Sequence, residues 1–156
     1  MIGNSKTFNN RAILPNQIKQ EITDKAGIFL PNETVKTIKP AFEDERGIIA
    51  NILEEPISHV AIITSKAGSV RANHYHPRQI QYVYLVSGKY ESISKNLRNK
   101  NAKTESKIIE SGSLVITPPM TAHAMKFLED SVLLNLTTGG RDSSKFSGHT
   151  KKYKLI

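Results

Sequence analysis

From Ala41 to Thr138 the chain breaks into short runs rich in Val, Ile, Tyr and Thr, separated by Gly, Pro, Asn, Asp or Ser. This rhythm constrains the fold more than any other feature. Runs of about four to eight residues between turn signals suit strands and are too short for most helices. Branched and aromatic side chains also favour the pleated backbone. The runs cover residues 48–53, 59–64, 70–76, 81–87, 88–94, 107–110, 113–117, 123–127 and 131–138. No helical pattern alternates with them, which argues against parallel βαβ units, and no segment repeats. The expected fold is all-β, a double-stranded β-helix of the jelly-roll type.

The first 38 residues are less patterned. Residues 16–27 suit a short helix and residues 32–37 a strand. We therefore expect an N-terminal arm over 1–38, packed on the barrel or on a second subunit, and a barrel with a C-terminal tail over 39–156. A chain of 156 residues is long enough for one domain with a real core. It has no cysteine, which removes disulfides and thiolate metal sites. It has neither the ~18-residue apolar run of a membrane helix nor an apolar secretory block at its N-terminus. A cytoplasmic protein without membrane contact is expected. The net charge of +8 is concentrated in residues 95–103 and 151–154, read as a solvated loop and a solvated terminus. No basic stripe interleaved with aromatics marks a nucleic-acid surface. A basic surface of this kind suits a phosphorylated or nucleotide-linked small molecule.

Within the strands lies a polar constellation. Gly68 is followed after five residues by His74, then His76, Gln81 and Gly88; Gly112 is followed after five residues by Pro118, then Met120 and His123. His74 and His76 are two apart, so one strand points both to the same face. Gln81, Val83 and Leu85 continue inward, while Tyr75, Tyr82 and Tyr84 point away. His123 arrives from a distant segment behind the Pro118-Pro119 turn. Asn135, between Leu133 and Thr137, adds a polar group to the last strand as pocket lining. Neutral imidazoles with an amide oxygen suit a divalent Fe, Mn, Ni, Cu or Zn ion, giving His74, His76, Gln81 and His123 as a ligand set. The same imidazoles also suit metal-free proton transfer next to a carbonyl. Arg71 precedes His74 by three residues, which puts it on the opposite face unless a bulge intervenes. His59 opens an apolar strand at the rim, and His149 sits in the tail.

The spacing resembles the cupin superfamily. That family's motifs read Gly, five residues, His-x-His, three or four residues, Glu, six residues, Gly, and then Gly, five residues, Pro-x-Gly, two residues, His. This chain has Gln81 where the family usually has Glu, and Met120 where it usually has Gly. A closer resemblance is to the nucleotide-sugar 3,4-ketoisomerases, carried by Asp44-Glu45-Arg46-Gly47 and by Arg71, His74, His76 and Gln81. Their cousins, the 3,5-epimerases, share the Asp-x-Arg-Gly opening. The chain departs at His59-Val60-Ala61-Ile62, where the ketoisomerases carry Arg-Val-Tyr-Tyr. It also departs at Ala122-His123, where they often carry Trp-His, and over residues 139–153.

The resemblance implies an isomerase or epimerase of a keto-deoxysugar nucleotide, of the kind found in surface-polysaccharide pathways. It makes His74 and His76 the base and acid, and Arg71 a phosphate or substrate contact. Gln81, His123 and Asn135 complete the expected substrate site. No cofactor is needed in that reading. The alternatives are a divalent-metal cupin enzyme, such as a dioxygenase or metal-assisted isomerase, and a non-catalytic sugar-binding cupin. A homodimer is expected, because small jelly rolls bury strand edges by pairing or swapping them.

Overall fold

The computed structural model describes residues 32–156, except 143 and 145. The helix expected over 16–27 and most of the expected arm lie outside the described residues.

Strand formation follows the short runs. The elements are β1 (Thr34–Thr37), β2 (Phe42–Asp44), β3 (Gly47–Ile49), β4 (His59–Ser65), β5 (Val70–Tyr75), β6 (Gln81–Ser87), β7 (Lys89–Asn96), β8 (Glu105–Glu110), β9 (Ser113–Thr117), β10 (Thr121–Phe127), β11 (Ser131–Thr137), a short helix α1 (Phe146–His149) and β12 (Lys151–Lys152). Two five-stranded sheets form, ordered β1-β9-β6-β11-β4 and β12-β5-β10-β7-β8, with β2 and β3 as a separate hairpin. Every pairing is antiparallel. From β4 to β12 every connection except the β7–β8 hairpin crosses between the sheets, which gives the expected jelly roll.

Strand alternation divides each sheet into a core face and an outer face. On β11, Ser131, Leu133, Asn135 and Thr137 are buried, while the residues between them are half-buried. Val83, Leu85, Val115 and Leu133 of one sheet meet Tyr90, Ile109, Met125 and Phe127 of the other to form the core. Leu85 is 0 % exposed; burying a side chain of that size stabilises by roughly 1.5–3 kcal/mol. The interior is apolar at one end only. Along β6 it runs Leu85, Val83, Gln81, and along β10 it runs Phe127, Met125, His123. The polar end of both strands is as deeply buried as the apolar end.

The β6–β7 turn needs glycine. Gly88 has φ +92°, and a Cβ there would overlap Ser131 Oγ and the Asp130 carbonyl. The β2–β3 turn is closed by Asp44, whose carboxylate accepts from the Arg46 backbone N–H at 3.0 Å and from its guanidinium. The start of the described chain is tied across the barrel. Asn32 donates to the carbonyls of Ser94 and Lys103, and the Glu33 carboxylate accepts from Ser92 Oγ at 2.6 Å and Thr117 Oγ1 at 2.8 Å. Burial pushes the Glu33 carboxyl above its ordinary pKa, and the two hydroxyl bonds offset part of that rise.

Two local expectations change. The strand expected over 48–53 ends at Ile49, because its ladder partner among the described residues, β2, reaches no further. Residues 50–54 instead line a cavity of about 330 Å³ against Leu134 and Leu136 on the outer face. The tail expected to be solvated returns to the barrel: Lys151 and Lys152 pair with Tyr75 and His74 as β12, although their side chains stay exposed. No helix among the described residues is long and apolar enough to cross a membrane.

Candidate functional site

His74 and His76, two residues apart, share one face, and β5 is irregular just before them. Ala72 and Asn73 have φ of +67° and +53°. The register against β10 shifts there, pairing His74 with His123 but Ala72 with Ala124, so Asn73 is the extra residue of a bulge. The bulge is held from outside: Asn73 Oδ1 accepts from the Leu155 N–H at 2.9 Å, and its carbonyl accepts from the Tyr153 N–H at 2.9 Å. It also resets the parity of Arg71, which pairs with Met125. The Arg71 guanidinium then runs to Ser65 Oγ at 2.6 Å and the Thr64 carbonyl at 2.9 Å. None of its hydrogen bonds goes to the histidines. Arg46 of the β2–β3 turn is likewise spent on Asp44.

His123 enters from β10 after a left-handed turn. Met120 has φ +63°, and its N–H donates to the His76 carbonyl at 2.8 Å. The three imidazoles then crowd together, with ring centroids 4.7 Å apart for His74 and His123, 4.8 Å for His74 and His76, and 5.5 Å for His76 and His123. One nitrogen from each ring can be chosen so that all three lie within 4.8 Å of one another. Gln81 lies 3.1 Å from His76 Nε2 through its amide and 2.5 Å from Asn135 through the other end of it. His74, His76, Gln81, His123 and Asn135 are therefore brought together, while Arg71 is not. Tyr75 faces outward as expected, its ring edge-on to Tyr153 at 6.4 Å.

The hydrogen bonds decide the tautomers. His76 Nδ1 donates to the His149 carbonyl at 2.9 Å, so in the neutral ring Nε2 keeps its lone pair. Arg141 Nη2 donates to that lone pair at 3.1 Å. Gln81 serves the same nitrogen as a donor when its amide and that of Asn135 turn together. His123 Nδ1 donates to the Thr121 carbonyl at 3.3 Å, which leaves its Nε2 lone pair unpartnered. His74 Nε2 is also buried without a partner.

All three rings are held neutral. Burial, then the His76 charge, then Arg141 lower His74 to about 4. Burial, then Arg141, lower His76 to about 4, against the opposing bonds to the His149 carbonyl and Gln81. Burial, then its two histidine neighbours, push His123 well below the usual imidazole range.

The tail supplies groups that the sequence reading did not assign to the site. Arg141 follows β11 through Gly139-Gly140 and packs on His76, with Nη1 3.4 Å from Thr150 Oγ1. Its Nε is buried without a partner, and no carboxylate among the described residues pairs with it. His149, expected in solvent, is half-buried; its Nδ1 lies 2.8 Å from Thr150 Oγ1 and its Nε2 3.2 Å from the Asp142 carbonyl. The available signal was the proximity of Arg141 to Asn135 and Thr137 along the chain. His59 pairs with Thr137 at the end of β4, at the rim rather than within the histidine cluster.

A divalent ion suits part of this arrangement. The Nε2 atoms of His74 and His123 have no partner and suit a ligand role, but the Nε2 of His76 is held by a guanidinium. A cation at that distance opposes a second one, so the site as built does not fit a metal while Arg141 keeps its place.

No family model matches the sequence, and no curated protein does. Solved structures do match. The chain is similar to a 3'-monoepimerase, ChmJ, from Streptomyces bikiniensis in complex with dTDP-quinovose (TM-score 0.64, 18 % identity, 75 % of this chain and 69 % of that one). It is similar to the RmlC epimerase of Mycobacterium tuberculosis (TM-score 0.63, 18 % identity, 75 % and 68 %). It is also similar to a double mutant of the QdtA 3,4-ketoisomerase of Thermoanaerobacterium thermosaccharolyticum in complex with TDP (TM-score 0.63, 20 % identity, 80 % and 89 %). At these identities the likeness establishes the fold alone, the antiparallel jelly roll these structures share.

Proposed function

We propose that this chain isomerises or epimerises a keto-deoxysugar nucleotide by imidazole-mediated proton transfer, without a cofactor. One observation carries the reading: three neutral histidines converge so that one nitrogen from each lies within 4.8 Å of the others, and the Nε2 atoms of His74 and His123 have no partner. Several similar structures are nucleotide-sugar epimerases or ketoisomerases, which supports this kind of reaction. The basic surface favours the diphosphate of such a substrate.

His74 is the base in this scheme. It is half-buried, whereas His76 and His123 are 1 % and 2 % exposed, and its Nε2 is not already committed to another group. Nε2 takes the proton from carbon next to the ketone. The C–H electron pair becomes the enolate, and the negative charge settles on oxygen. For ketoisomerisation the proton is delivered to the former carbonyl carbon, while the hydroxyl proton of the first carbon passes to the former carbonyl oxygen through the enediol; for epimerisation a second donor protonates the first carbon from the opposite face. An anion beside the ring raises its pKa, which brings an imidazole held at about 4 toward its working range. His76 serves as the acid partner once its Nε2 has taken up a proton in place of the Arg141 hydrogen bond, its Nδ1–H staying with the His149 carbonyl. Gln81 and Asn135 hold the sugar hydroxyls, and His123 supports His74 edge-on. We leave Arg71 out of the site because its guanidinium is committed to β4.

The test is proton exchange at the sugar carbon of dTDP-4-keto-6-deoxyglucose in deuterated water. The native chain should exchange, and His74→Ala should lose exchange by at least ~100-fold while melting normally. Unchanged exchange in that variant rules out His74 as the base. Thermal stabilisation by the nucleotide sugar without exchange would identify a sugar-binding protein instead.

Two further readings go with this one. A place in surface-polysaccharide assembly follows from the substrate class. A homodimer is supported by β4, an edge strand whose outward Val60 and Ile62 are 61 % and 72 % exposed. Sedimentation equilibrium decides the assembly.

A further inference from the structure

Arg141 is a cation without a counterion in a pocket of neutral bases. It holds the same His76 lone pair that a metal would take, at 3.1 Å. Its other contact, to Thr150 Oγ1 at 3.4 Å, is long, and its Nε is buried without a partner. A guanidinium so placed has spare donors pointing at whatever sits beside the histidines. It cannot be deprotonated, so its charge is permanent. Nothing among the described residues neutralises it.

We infer that Arg141 is the resident electrophile of this site: it takes the cation position of the three-histidine cluster, excludes a divalent metal, and stabilises the oxyanion formed by proton removal. The oxyanion role rests on the proton-transfer reading above, and the exclusion of metal does not. A substrate oxygen next to the attacked carbon would take over the N–H now donated to His76 Nε2. As charge moves from the C–H bond onto that oxygen, the hydrogen bond becomes charge-assisted and strengthens. Donors aimed at developing charge act on the transition state rather than the ground state. The geometry also accounts for a base as weak as these imidazoles: the acidity of the carbon is raised instead. Arg141 would thus be a catalytic residue supplied by the tail after β11.

Two experiments test the inference. Isothermal titration with Ni²⁺ and Zn²⁺, and metal content after dialysis, compare the native chain with Arg141→Gln and Arg141→Lys. The native chain and Arg141→Lys should take up no stoichiometric metal at micromolar concentration. Arg141→Gln should bind one ion per chain at least ~100-fold more tightly than the native chain. One tightly held ion in the native chain overturns the inference, and so does no gain in Arg141→Gln. The Arg141→Lys variant guards against simple loss of packing, since it keeps the charge. In the exchange assay, Arg141→Gln should lower kcat about 100-fold with KM within about threefold. A change in KM alone would overturn the oxyanion role. If the native chain exchanges no keto-deoxysugar at all, the proposed function fails while the metal titration still decides where the guanidinium acts.

Discussion

Replacing His76 should change how folding stability depends on pH, and the direction follows from the structure. His76 is 1 % exposed, and burial with Arg141 lowers it to about 4. In the unfolded chain the ring returns to an ordinary pKa near 6.5. Between these values the unfolded state binds the extra proton and the folded state does not. Stability therefore rises with pH across this window and is lost as pH falls toward 4. For one group with these two values, the loss between pH 7 and pH 5 comes to about 2 kcal/mol. The assay is urea unfolding at both pH values for the native chain and His76→Gln, with linear extrapolation to water. The native chain should lose about 2 kcal/mol more than the variant over that interval. His74 adds to the difference, because part of its own depression comes from the His76 charge. Glu33 contributes with the opposite sign but is common to both proteins. Parallel stability curves would refute the claim that His76 is held neutral by burial and by Arg141.

Met120→Gly should stabilise the fold by about 1 kcal/mol, because a residue at φ +63° carries a strain that glycine does not; the melting temperature should rise by about 2–4 °C. Glu33→Ala should cost about 1–3 kcal/mol by leaving the Ser92 and Thr117 hydroxyls without their acceptor, read as a lower urea midpoint. Glu33→Gln should cost less. It should also remove a decline in stability as pH rises through the carboxyl's elevated pKa, since the folded state holds that proton longer than the unfolded state does. Equal pH slopes in the native chain and Glu33→Gln would count against a raised pKa for this buried group.

Much of the architecture was legible because strands announce themselves locally. Period-two alternation in 81–87 and 131–138 identified the inward faces of β6 and β11, including Gln81 and Asn135. The same parity set His74 and His76 on one side and Tyr75 on the other. The spacing of glycines and histidines also resembled a known jelly-roll family, and the fold agrees. Met120 is instructive: the departure from glycine was visible in the sequence, and the structure adds its physical content, a positive φ.

Residue types and their alternation by themselves determined the all-β class, the strand faces and the pairing of His74 with His76 on one face. These depend on interactions within a few residues, so local patterning suffices, whereas His123 was reached only through the motif spacing. The tertiary structure decided the rest. Arg71 is kept from the site by its bonds to Ser65 and the Thr64 carbonyl, which only the packing of β4 beside β5 reveals. Arg141, Thr150 and the His149 carbonyl joined it because β12 docks on β5, a contact between segments about 75 residues apart. The protonation state of the histidines belongs to the same level, since burial and a distant guanidinium act through space, and no pattern along the chain records them.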